Sequence, residues 1–290
     1  MSLHPLLLVR QPSPRLSEGI LTHLSPRTAD PPTLARSLAQ WKAYVDVFRQ
    51  RGWDVIEVEA ADECPDGVFI EDAVVVFPGE PGVVMLVRSG SEERRKEYAT
   101  AKSAVEEHLV KKRGFELVDF YDDKVDSTGH ATMDGGDVLK VAKEKTVYVG
   151  LSGRTNKEGV EVIKREMGMK RGWKVVTVDM GGKGWLHLKS ATTALPCGSH
   201  FLLAAMQGGA SRPDSKTLRI KEEGETPWIE VAEDEGVAVV ELGGKDVLLS
   251  SSAPRTKAQL EAQGWNVITA DVADFEALEG CVTCLSVRVR

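Results

Sequence analysis

Hydrophobic and polar positions along this chain repeat as one pattern: an amphipathic stretch, then a glycine, an aromatic residue and a β-rich run. The pattern occurs four times, with the glycine–aromatic pairs Gly52-Trp53, Gly114-Phe115, Gly172-Trp173 and Gly264-Trp265. In residues 34–48, apolar residues recur at the spacing of a helix that buries one face. A glycine fits the left-handed position that ends a helix, and β-branched residues favour strands. The pattern therefore predicts repeated helix–turn–strand units.

The repeat extends over the whole chain and predicts one architecture rather than two unrelated domains. Successive glycines of the four pairs are 62, 58 and 92 residues apart, and the last gap has room for a degenerate unit around residues 228–231. The glycine-rich residues 208–213 in the same gap are expected to form a loop. Five units of about 58 residues would fill the chain. We therefore predict an α/β repeat fold in a single domain, residues 1–290.

A second β-rich segment follows each glycine–aromatic pair, and each carries a chemically active residue. Asp72, Asp134 and Cys284 lie 20 residues after their glycine, and His187 lies 15 residues after its own. We interpret the segments around His187 and Cys284 as short strands. In a closed radial repeat, equivalent positions face a common axis. The spacing therefore predicts that two carboxylates, an imidazole and a thiol converge.

Composition narrows the class of protein. The chain has a net charge of −7, and its charges are mixed, without the basic, aromatic-containing stripe that binds nucleic acid. The apolar run at residues 6–9 is too short for a signal peptide or a membrane span. Four cysteines in a chain of this length do not make a disulfide framework. We expect a cytoplasmic protein with reduced thiols and with neither a nucleic-acid nor a membrane partner.

Cys284 and His187 are the candidate nucleophile and base. Taken singly, a free cysteine is usually a small buried apolar residue, and a histidine on a strand is usually a core residue bonded to a backbone carbonyl. The spacing Cys281-x-x-Cys284 also suggests zinc or redox chemistry. We set both aside, because no second ligand pair is present and the helix N-terminus of redox motifs is missing. A cysteine–histidine pair with an orienting carboxylate activates a nucleophile.

Acids and arginines at the ends of predicted strands suggest a pocket for a cationic amino acid. Glu71 and Asp72 interrupt an apolar run, so they need an internal cation or a cationic ligand as partner. Asp134 precedes two glycines, and a simple turn is the alternative interpretation. Arg88 and Arg154 are either solvated surface residues or a pair that holds a carboxylate. Acids at one end and arginines at the other suit an α-amino acid with a cationic tail, and a planar guanidinium is one cation that matches carboxylates.

Six segments form a set that is more specific than any one of them. They are residues 65–75, 93–97, 134–138, 149–156, 186–190 and 283–284. In content and order the set resembles the dimethylarginine dimethylaminohydrolase family of the guanidino-group-modifying superfamily. The resemblance implies a five-bladed α/β propeller of ββαβ-type repeats (the pentein fold). It also implies hydrolysis of Nω-methylated arginine to citrulline and an alkylamine, without a cofactor or a metal.

The resemblance assigns a role to each candidate residue. Cys284 matches the nucleophile, His187 the general acid and base, and Asp134 the acidic partner near the guanidinium. The substrate-binding roles fall to Glu71 and Asp72 at the guanidinium, Asp66 near the α-amino group, Arg88 and Arg154 at the α-carboxylate, and Leu278 and Glu279 beside the nucleophile.

Two alternatives to this function stay open at the level of sequence. One is a deiminase of free arginine or another guanidine with the same fold. The other is a non-catalytic propeller that binds an amino acid or a partner protein, although the thiol favours an enzyme. The segment at residues 11–14 lacks the apolar residue expected of a substrate-covering loop, which leaves substrate selectivity open. Whether the chain forms a homodimer is also left open.

Overall fold

A computed structural model describes residues 4–24, 29–180, 184–196, 201–203 and 228–290, with the backbone alone at 201–203 and 228. Cys197 and the loop expected at residues 208–213 lie outside the described residues. Among the helices of the described ranges, none is long and apolar enough to span a membrane. The apolar run near the start of the chain is a buried strand, Leu6–Arg10.

The strands of the described residues form five three-stranded sheets that share one design. They are β1 (Leu6–Arg10), β2 (Asp54–Val58), β3 (Val74–Phe77), β4 (Val83–Leu86), β5 (Glu116–Asp119), β6 (Val138–Val141), β7 (Thr146–Leu151), β8 (Lys174–Asp179), β9 (Thr192–Ala194), β10 (Phe201–Leu203), β11 (Trp228–Glu230), β12 (Val240–Gly243), β13 (Asp246–Ser250), β14 (Asn266–Ala270) and β15 (Val287–Val289). The sheet orders are β15-β1-β2, β3-β4-β5, β6-β7-β8, β9-β10-β11 and β12-β13-β14. In each sheet the central strand is antiparallel to one neighbour and parallel to the other. The mixed α/β class predicted from the repeat is confirmed.

In the part of the chain that the structure describes, helices connect the parallel strands of four sheets, because parallel neighbours require a crossover. The crossover helices are α1 (Leu34–Arg49), α2 (Tyr98–Val105), α3 (Lys157–Ile163) and α5 (Pro254–Ala262), and the short helices are α4 (Leu188–Ala191) and α6 (Ala273–Glu276). Two π-helical segments, Glu106–Lys111 and Lys164–Met169, extend α2 and α3. Short 3-10 helices occupy Leu16–Glu18, Ile70–Asp72, Glu93–Glu97, Gly135–Asp137, Ala142–Glu144 and Asp234–Val237.

The glycines of the repeated pattern have the predicted left-handed backbone. The φ angles of Gly52, Gly114, Gly172 and Gly264 are 74°, 69°, 69° and 83°. Each glycine ends a crossover, and the run after it is the parallel outer strand of a sheet: β2, β5, β8 or β14. An L-residue with a Cβ is strained at such angles, so the glycines allow the chain to reverse into the strand.

The second segment of each unit differs from the prediction at its active residue. Asp72 ends a 3-10 helix before β3, and Asp134 precedes one before β6. His187 is the N-cap of α4, and Cys284 lies in a turn at residues 282–285 before β15. The prediction that His187 and Cys284 lie within strands is therefore wrong. Alternating apolar residues also occur in a buried turn, so this pattern does not distinguish a strand from a turn.

The turn that carries Cys284 is fastened at both ends. β15 pairs with β1, with Leu6 opposite Val289 and Leu8 opposite Val287, so the two chain ends share a sheet. From α1, the fully buried hydroxyl of Tyr44 donates to the Val282 carbonyl at 2.8 Å. These contacts fix the backbone of the turn on both sides of the thiol.

Candidate active site

Eight of the ten residues predicted for the site line one small cavity. Its lining consists of Ile20, Asp66, Phe69, Asp72, Arg94, Asp134, Arg154, Leu186, His187, Leu278, Glu279, Gly280 and Cys284. Asp72, Asp134, His187 and Cys284 each stand just before the first strand of a different sheet. The repeat therefore brings together four residues that are far apart in the chain, as their positions after the repeated glycines predicted.

His187 and Asp134 form a buried pair. His187 Nε2 lies 3.2 Å from Asp134 Oδ2, and the two side chains are 4% and 1% exposed. Burial alone lowers the pKa of His187, but the charge of Asp72 and the hydrogen bond with Asp134 outweigh it and raise the pKa to about 9. The imidazole is therefore protonated at neutral pH and can donate a proton.

Asp134 is kept ionised by its neighbours. Burial raises its pKa, but the hydrogen bond with His187, the charges of His187 and Arg94 and the hydrogen bond from Ser89 together lower it. Ser89 Oγ donates to Asp134 Oδ1 at 2.9 Å, and the Gly90 N–H donates to the same oxygen at 3.3 Å. The carboxylate therefore has a fixed orientation, with one oxygen toward the imidazole.

Asp72 is held by a cation and by a backbone amide. Its Oδ2 lies 2.6 Å from Arg94 Nη1, and its Oδ1 accepts from the Gly136 N–H at 3.0 Å. Gly136 permits this packing, because a Cβ there would lie 2.5 Å from His187 Nδ1. A side chain at residue 136 would thus displace the imidazole, so the close approach requires glycine.

Cys284 presents a thiol whose surroundings disfavour its ionised form. The residue is 9% exposed. The hydrogen bond with Cys281, then burial, then the negative charges of Cys281, Asp72 and Glu71 raise the pKa of Cys284. Its Sγ lies 3.2 Å from Cys281 Sγ. A bound cation would act in the opposite direction and favour the thiolate.

One side of the cavity is formed by a loop that Glu279 holds. The Glu279 carboxylate accepts from the backbone N–H groups of Thr22, His23 and Leu24, with distances of 3.0 Å to Thr22 and 2.6 Å to Leu24. Ile20, in the same loop, lines the cavity. Residues 19–24 thus cover one side of the cavity, and Ile20 is the apolar residue of this covering loop that lines it. Residues 11–14, which were expected to form such a loop, do not line the cavity.

Asp66 lies at the same end of the cavity as this loop. Its Oδ2 accepts from the Ile20 N–H at 3.1 Å, and burial raises its pKa. Arg154 also lines the cavity, and its Nη2 donates to Thr22 Oγ1 at 3.2 Å. A carboxyl group and a guanidinium thus lie near the loop. Together they suit a ligand that carries an amino group and a carboxylate.

Two of the predicted residues do not line the cavity. Arg88 donates to Asp126 at 2.7 Å and to the backbone carbonyls of Phe120 and Ala131, so its guanidinium is used inside the fold. Glu71 lies 2.6 Å from Lys189 and 2.5 Å from Arg288 in a separate cavity. Neighbouring residues in a turn point in different directions, so Asp72 faces the site and Glu71 does not. Contrary to the prediction from the sequence, Arg88 and Glu71 do not lie at this cavity.

Arg94 and Ile20 line the cavity but were not assigned a role from the sequence. Arg94 binds Asp72 and also donates through Nε to Glu97 at 2.8 Å. A signal for Arg94 was present, since it lies inside the family-like segment 93–97. No pattern marked Ile20, which lies between the first strand and the first helix.

Asp72, Asp134 and His187 could also be considered as metal ligands. Their potential ligand atoms all lie within 4.8 Å of one another. However, the imidazole is protonated at neutral pH, and the Asp72 carboxylate already binds Arg94. A metal needs the neutral imidazole. The set fits an organic cation that donates hydrogen bonds better than it fits a metal ion.

Comparison with known proteins agrees with this geometry. A family model described as "N,N dimethylarginine dimethylhydrolase, eukaryotic" matches residues 28–289. The N(G),N(G)-dimethylarginine dimethylaminohydrolase of Streptomyces coelicolor is 40% identical over 283 residues, which cover 98% of this chain and 96% of that protein.

Two solved structures illustrate the shared fold. One is a dimethylarginine dimethylaminohydrolase adduct with S-methyl-L-thiocitrulline, at a TM-score of 0.78 and 22% identity, covering 99% of this chain and 100% of that one. The other is the N-terminal domain of an arginine dihydrolase from the ornithine-ammonia cycle in Cyanobacteria, with a TM-score of 0.73, 19% identity and coverage of 99% and 98%. At such identities the likeness shows the fold alone. The family match and the Streptomyces relative, which each cover most of the chain, show that it belongs to the dimethylarginine dimethylaminohydrolase family.

Proposed function

We propose that Cys284, His187 and Asp134 carry out the reaction of this family, hydrolysis of Nω-methylated arginine to citrulline and an alkylamine. The observation that most supports this assignment is the 3.2 Å contact of His187 with Asp134 at a cavity that Cys284 also lines. A nucleophile, a proton donor and an orienting carboxylate are the parts that covalent hydrolysis requires. Binding alone needs no thiol.

The charges around the cavity suit each part of the substrate. Asp72 and Asp134 would accept hydrogen bonds from the guanidinium, because its planar set of N–H donors matches the geometry of carboxylates. Burial raises the pKa of Asp66, and an α-ammonium group beside it would stabilise the ionised carboxylate. Arg154 would hold the α-carboxylate. Leu278 and the Glu279-bound loop would close the site over the aliphatic part.

Substrate binding would activate the Cys284 thiol. Cys281, burial and the nearby acids keep its pKa high. A guanidinium between Asp72 and Asp134 neutralises their charge and adds a positive charge close to the sulfur. Both changes favour the thiolate, because an opposite charge at about 4–6 Å stabilises the ionised form. The thiol proton passes to bulk water as the cation enters, and the released amine later takes up a proton from water.

The first half of the reaction exchanges nitrogen for sulfur. The Cys284 thiolate attacks the guanidinium carbon, and a C–S bond forms. The C–N bond to the methylated nitrogen then breaks as His187, protonated at neutral pH, gives its proton to that nitrogen. The alkylamine leaves, and a thiouronium adduct remains on Cys284. His187 is now neutral and still bonded to Asp134.

The second half exchanges sulfur for oxygen. Neutral His187 takes a proton from water, and the resulting hydroxide attacks the thiouronium carbon. The C–S bond breaks, the hydroxyl proton of the intermediate passes to the departing sulfur, and citrulline and the Cys284 thiol form. One water is consumed for each amine released, and the protein ends in its starting state. Division into two displacements lowers the barrier of each.

A turnover assay tests this assignment. Purified protein with asymmetric dimethylarginine should release citrulline and dimethylamine in equal amounts. Cys284→Ser should reduce turnover by more than about 10³-fold while leaving substrate binding measurable. Cys64→Ser is the matched control, since Cys64 is buried away from the cavity lining. Full turnover by Cys284→Ser would refute the covalent scheme.

A deiminase of free arginine is the second candidate, because the fold is shared with an arginine dihydrolase. Free arginine would then yield ammonia and citrulline. Parallel assays with free and dimethylated arginine separate the two functions by the amine released. We expect the specificity constant for the methylated substrate to be the larger.

We also propose that the five sheets are the blades of one closed propeller in a single domain, residues 1–290. Their shared strand order, the pairing of β15 with β1 and the meeting of residues from several sheets support this arrangement. One cooperative unfolding transition is expected for such a domain. Two separated transitions would contradict it.

The free thiols of Cys281 and Cys284 suit a cytoplasmic location.

A further inference from the structure

The Cys281-x-x-Cys284 motif, set aside from the sequence as neither zinc site nor redox site, has a geometry that the catalytic scheme does not use. The two sulfur atoms lie 3.2 Å apart. The Cys284 N–H donates to the Cys281 carbonyl at 3.1 Å, which closes a turn between them. Only Cys284 lines the catalytic cavity. Cys281 is therefore a second thiol in contact with the nucleophile but outside the substrate site.

The turn holds the two cysteines at a separation that a disulfide tolerates. The ends of a β-turn lie within about 7 Å between Cα atoms, and disulfides span roughly 4.4–6.8 Å. The sulfur atoms need only approach to about 2.04 Å. The backbone on either side is already fixed, by the Tyr44 hydroxyl at Val282 and by the pairing of β15 with β1. Side-chain rotation is thus the main movement required.

The two thiols differ in exposure and in acidity. Cys281 is half-buried, whereas Cys284 is 9% exposed. The hydrogen bond from the Cys284 thiol lowers the pKa of Cys281 to about 7, against the effect of burial. A partly exposed thiolate is the form that reacts with oxidants. Cys281 therefore meets a small oxidant more readily than the nucleophile does.

We propose that Cys281 and Cys284 form a reversible disulfide in response to peroxide, which switches the enzyme off. The inference rests on the proposed role of Cys284 as nucleophile. The Cys281 thiolate attacks a peroxide oxygen, the O–O bond breaks, and a sulfenic acid and water result. The Cys284 sulfur then attacks the sulfenic sulfur, the S–S bond forms, and a second water leaves. Two thiols lose two electrons, and one hydrogen peroxide is reduced to two water molecules.

The switch also protects the nucleophile. Once Cys284 is in a disulfide it cannot attack a guanidinium, so turnover stops. The same bond keeps its sulfur from the irreversible sulfinic and sulfonic states. A dithiol reductant attacks the disulfide by thiol exchange and restores both thiols. Oxidation thus becomes a recoverable state rather than permanent damage.

The experiment uses the full chain with Cys64 and Cys197 replaced by serine, so that the pair alone can react. The reduced protein is treated with a small excess of hydrogen peroxide. Turnover, free-thiol content and the mass of the peptide with residues 281 and 284 are then measured. We expect the loss of two hydrogens from that peptide, a fall in turnover of at least about tenfold, and recovery of both with dithiothreitol.

Cys281→Ser in the same background is the decisive variant. It should form no intramolecular disulfide and, measured against its own untreated turnover, should lose activity more slowly in peroxide. The activity that it loses to the sulfinic and sulfonic states of Cys284 should not return with dithiothreitol, so its recovery should be smaller than that of the parent. Equal peroxide sensitivity of the two proteins, or a parent peptide of unchanged mass, would overturn the proposal. The mass readout does not depend on turnover, so a disulfide in a protein that lacks methylarginine activity would refute the proposed function instead.

Discussion

His187 and Asp134 lie 53 residues apart in the chain, yet His187 Nε2 is 3.2 Å from Asp134 Oδ2 in a buried site. The pairing gives the imidazole a proton at neutral pH and gives the carboxylate its orientation. The chemistry proposed for the site depends on this contact, because the leaving amine needs a proton donor beside the nucleophile.

Asp134→Asn tests the pair directly. The amide keeps the shape of the carboxylate but not its charge, so the pKa of His187 should fall from about 9. Turnover should drop by about 10²–10⁴-fold, the usual contribution of a positioned acid or base. In the parent, kcat/KM should decline as pH rises through about 9, and in the variant at lower pH. Asp123→Asn, at an exposed position, is the control.

The same pair affects stability with a defined sign. The folded-state pKa of His187 is raised from an ordinary value of 6.5 to about 9, so the folded protein binds this proton more tightly than the unfolded chain does. Its contribution is complete below about pH 6.5 and is lost as pH rises through about 9. Urea unfolding across this pH range should show that the free energy of unfolding falls in the parent and falls less in Asp134→Asn. If the free energy of unfolding falls equally in the two proteins, other titrating groups cause the loss.

Gly136→Ala should disable the site without unfolding the protein. The added Cβ would lie 2.5 Å from His187 Nδ1 and 3.0 Å from Asp72 Oδ1, so the imidazole must move. A misplaced catalytic group commonly costs about 10²-fold in rate. Gly153→Ala is a matched control, because a Cβ there meets nothing within 4 Å. Similar turnover in the two variants would show that the close packing at residue 136 is unimportant.

Glu279→Gln should weaken substrate binding more than chemistry. The carboxylate accepts from three consecutive backbone N–H groups of the covering loop, and charged acceptors make the stronger hydrogen bonds. Loss of the charge should loosen residues 19–24 and raise KM several-fold, with a smaller change in kcat. Glu276→Gln, in the preceding helix α6, is a comparison outside the cavity lining. If KM does not change, the loop does not control access.

Arg88→Met should destabilise the fold and leave KM nearly unchanged. Arg88 and Asp126 form a buried pair at 2.7 Å, and hydrogen bonds from Thr128 and Arg88 hold the pKa of Asp126 well below its ordinary value despite burial. Removal of the cation leaves a buried charge, which costs about 3–5 kcal/mol. Chemical denaturation measures the loss, and Arg88→Met with Asp126→Asn should recover part of it. A large rise in KM at full stability would return Arg88 to the substrate site.

Much of the fold followed from local chemistry. The glycines at 52, 114, 172 and 264 predicted where helices turn into strands, because a left-handed backbone excludes most other residues. Equal spacing from those glycines identified Asp72, Asp134 and Cys284 as equivalent positions, and the repeated connection then brought them to one cavity. Periodicity and glycine conformation are properties of short stretches, so they can be read along the chain.

Contacts between distant segments were decided only by packing. Arg88 and Arg94 are six residues apart and chemically alike, yet one pairs with Asp126 inside the fold and the other with Asp72 at the cavity. Ile20 lines the cavity, and Cys281 Sγ lies 3.2 Å from Cys284 Sγ. Both placements depend on the direction of a turn, which no periodic pattern in the sequence predicts. Local propensity specifies what a residue can do, and the tertiary structure selects its neighbour.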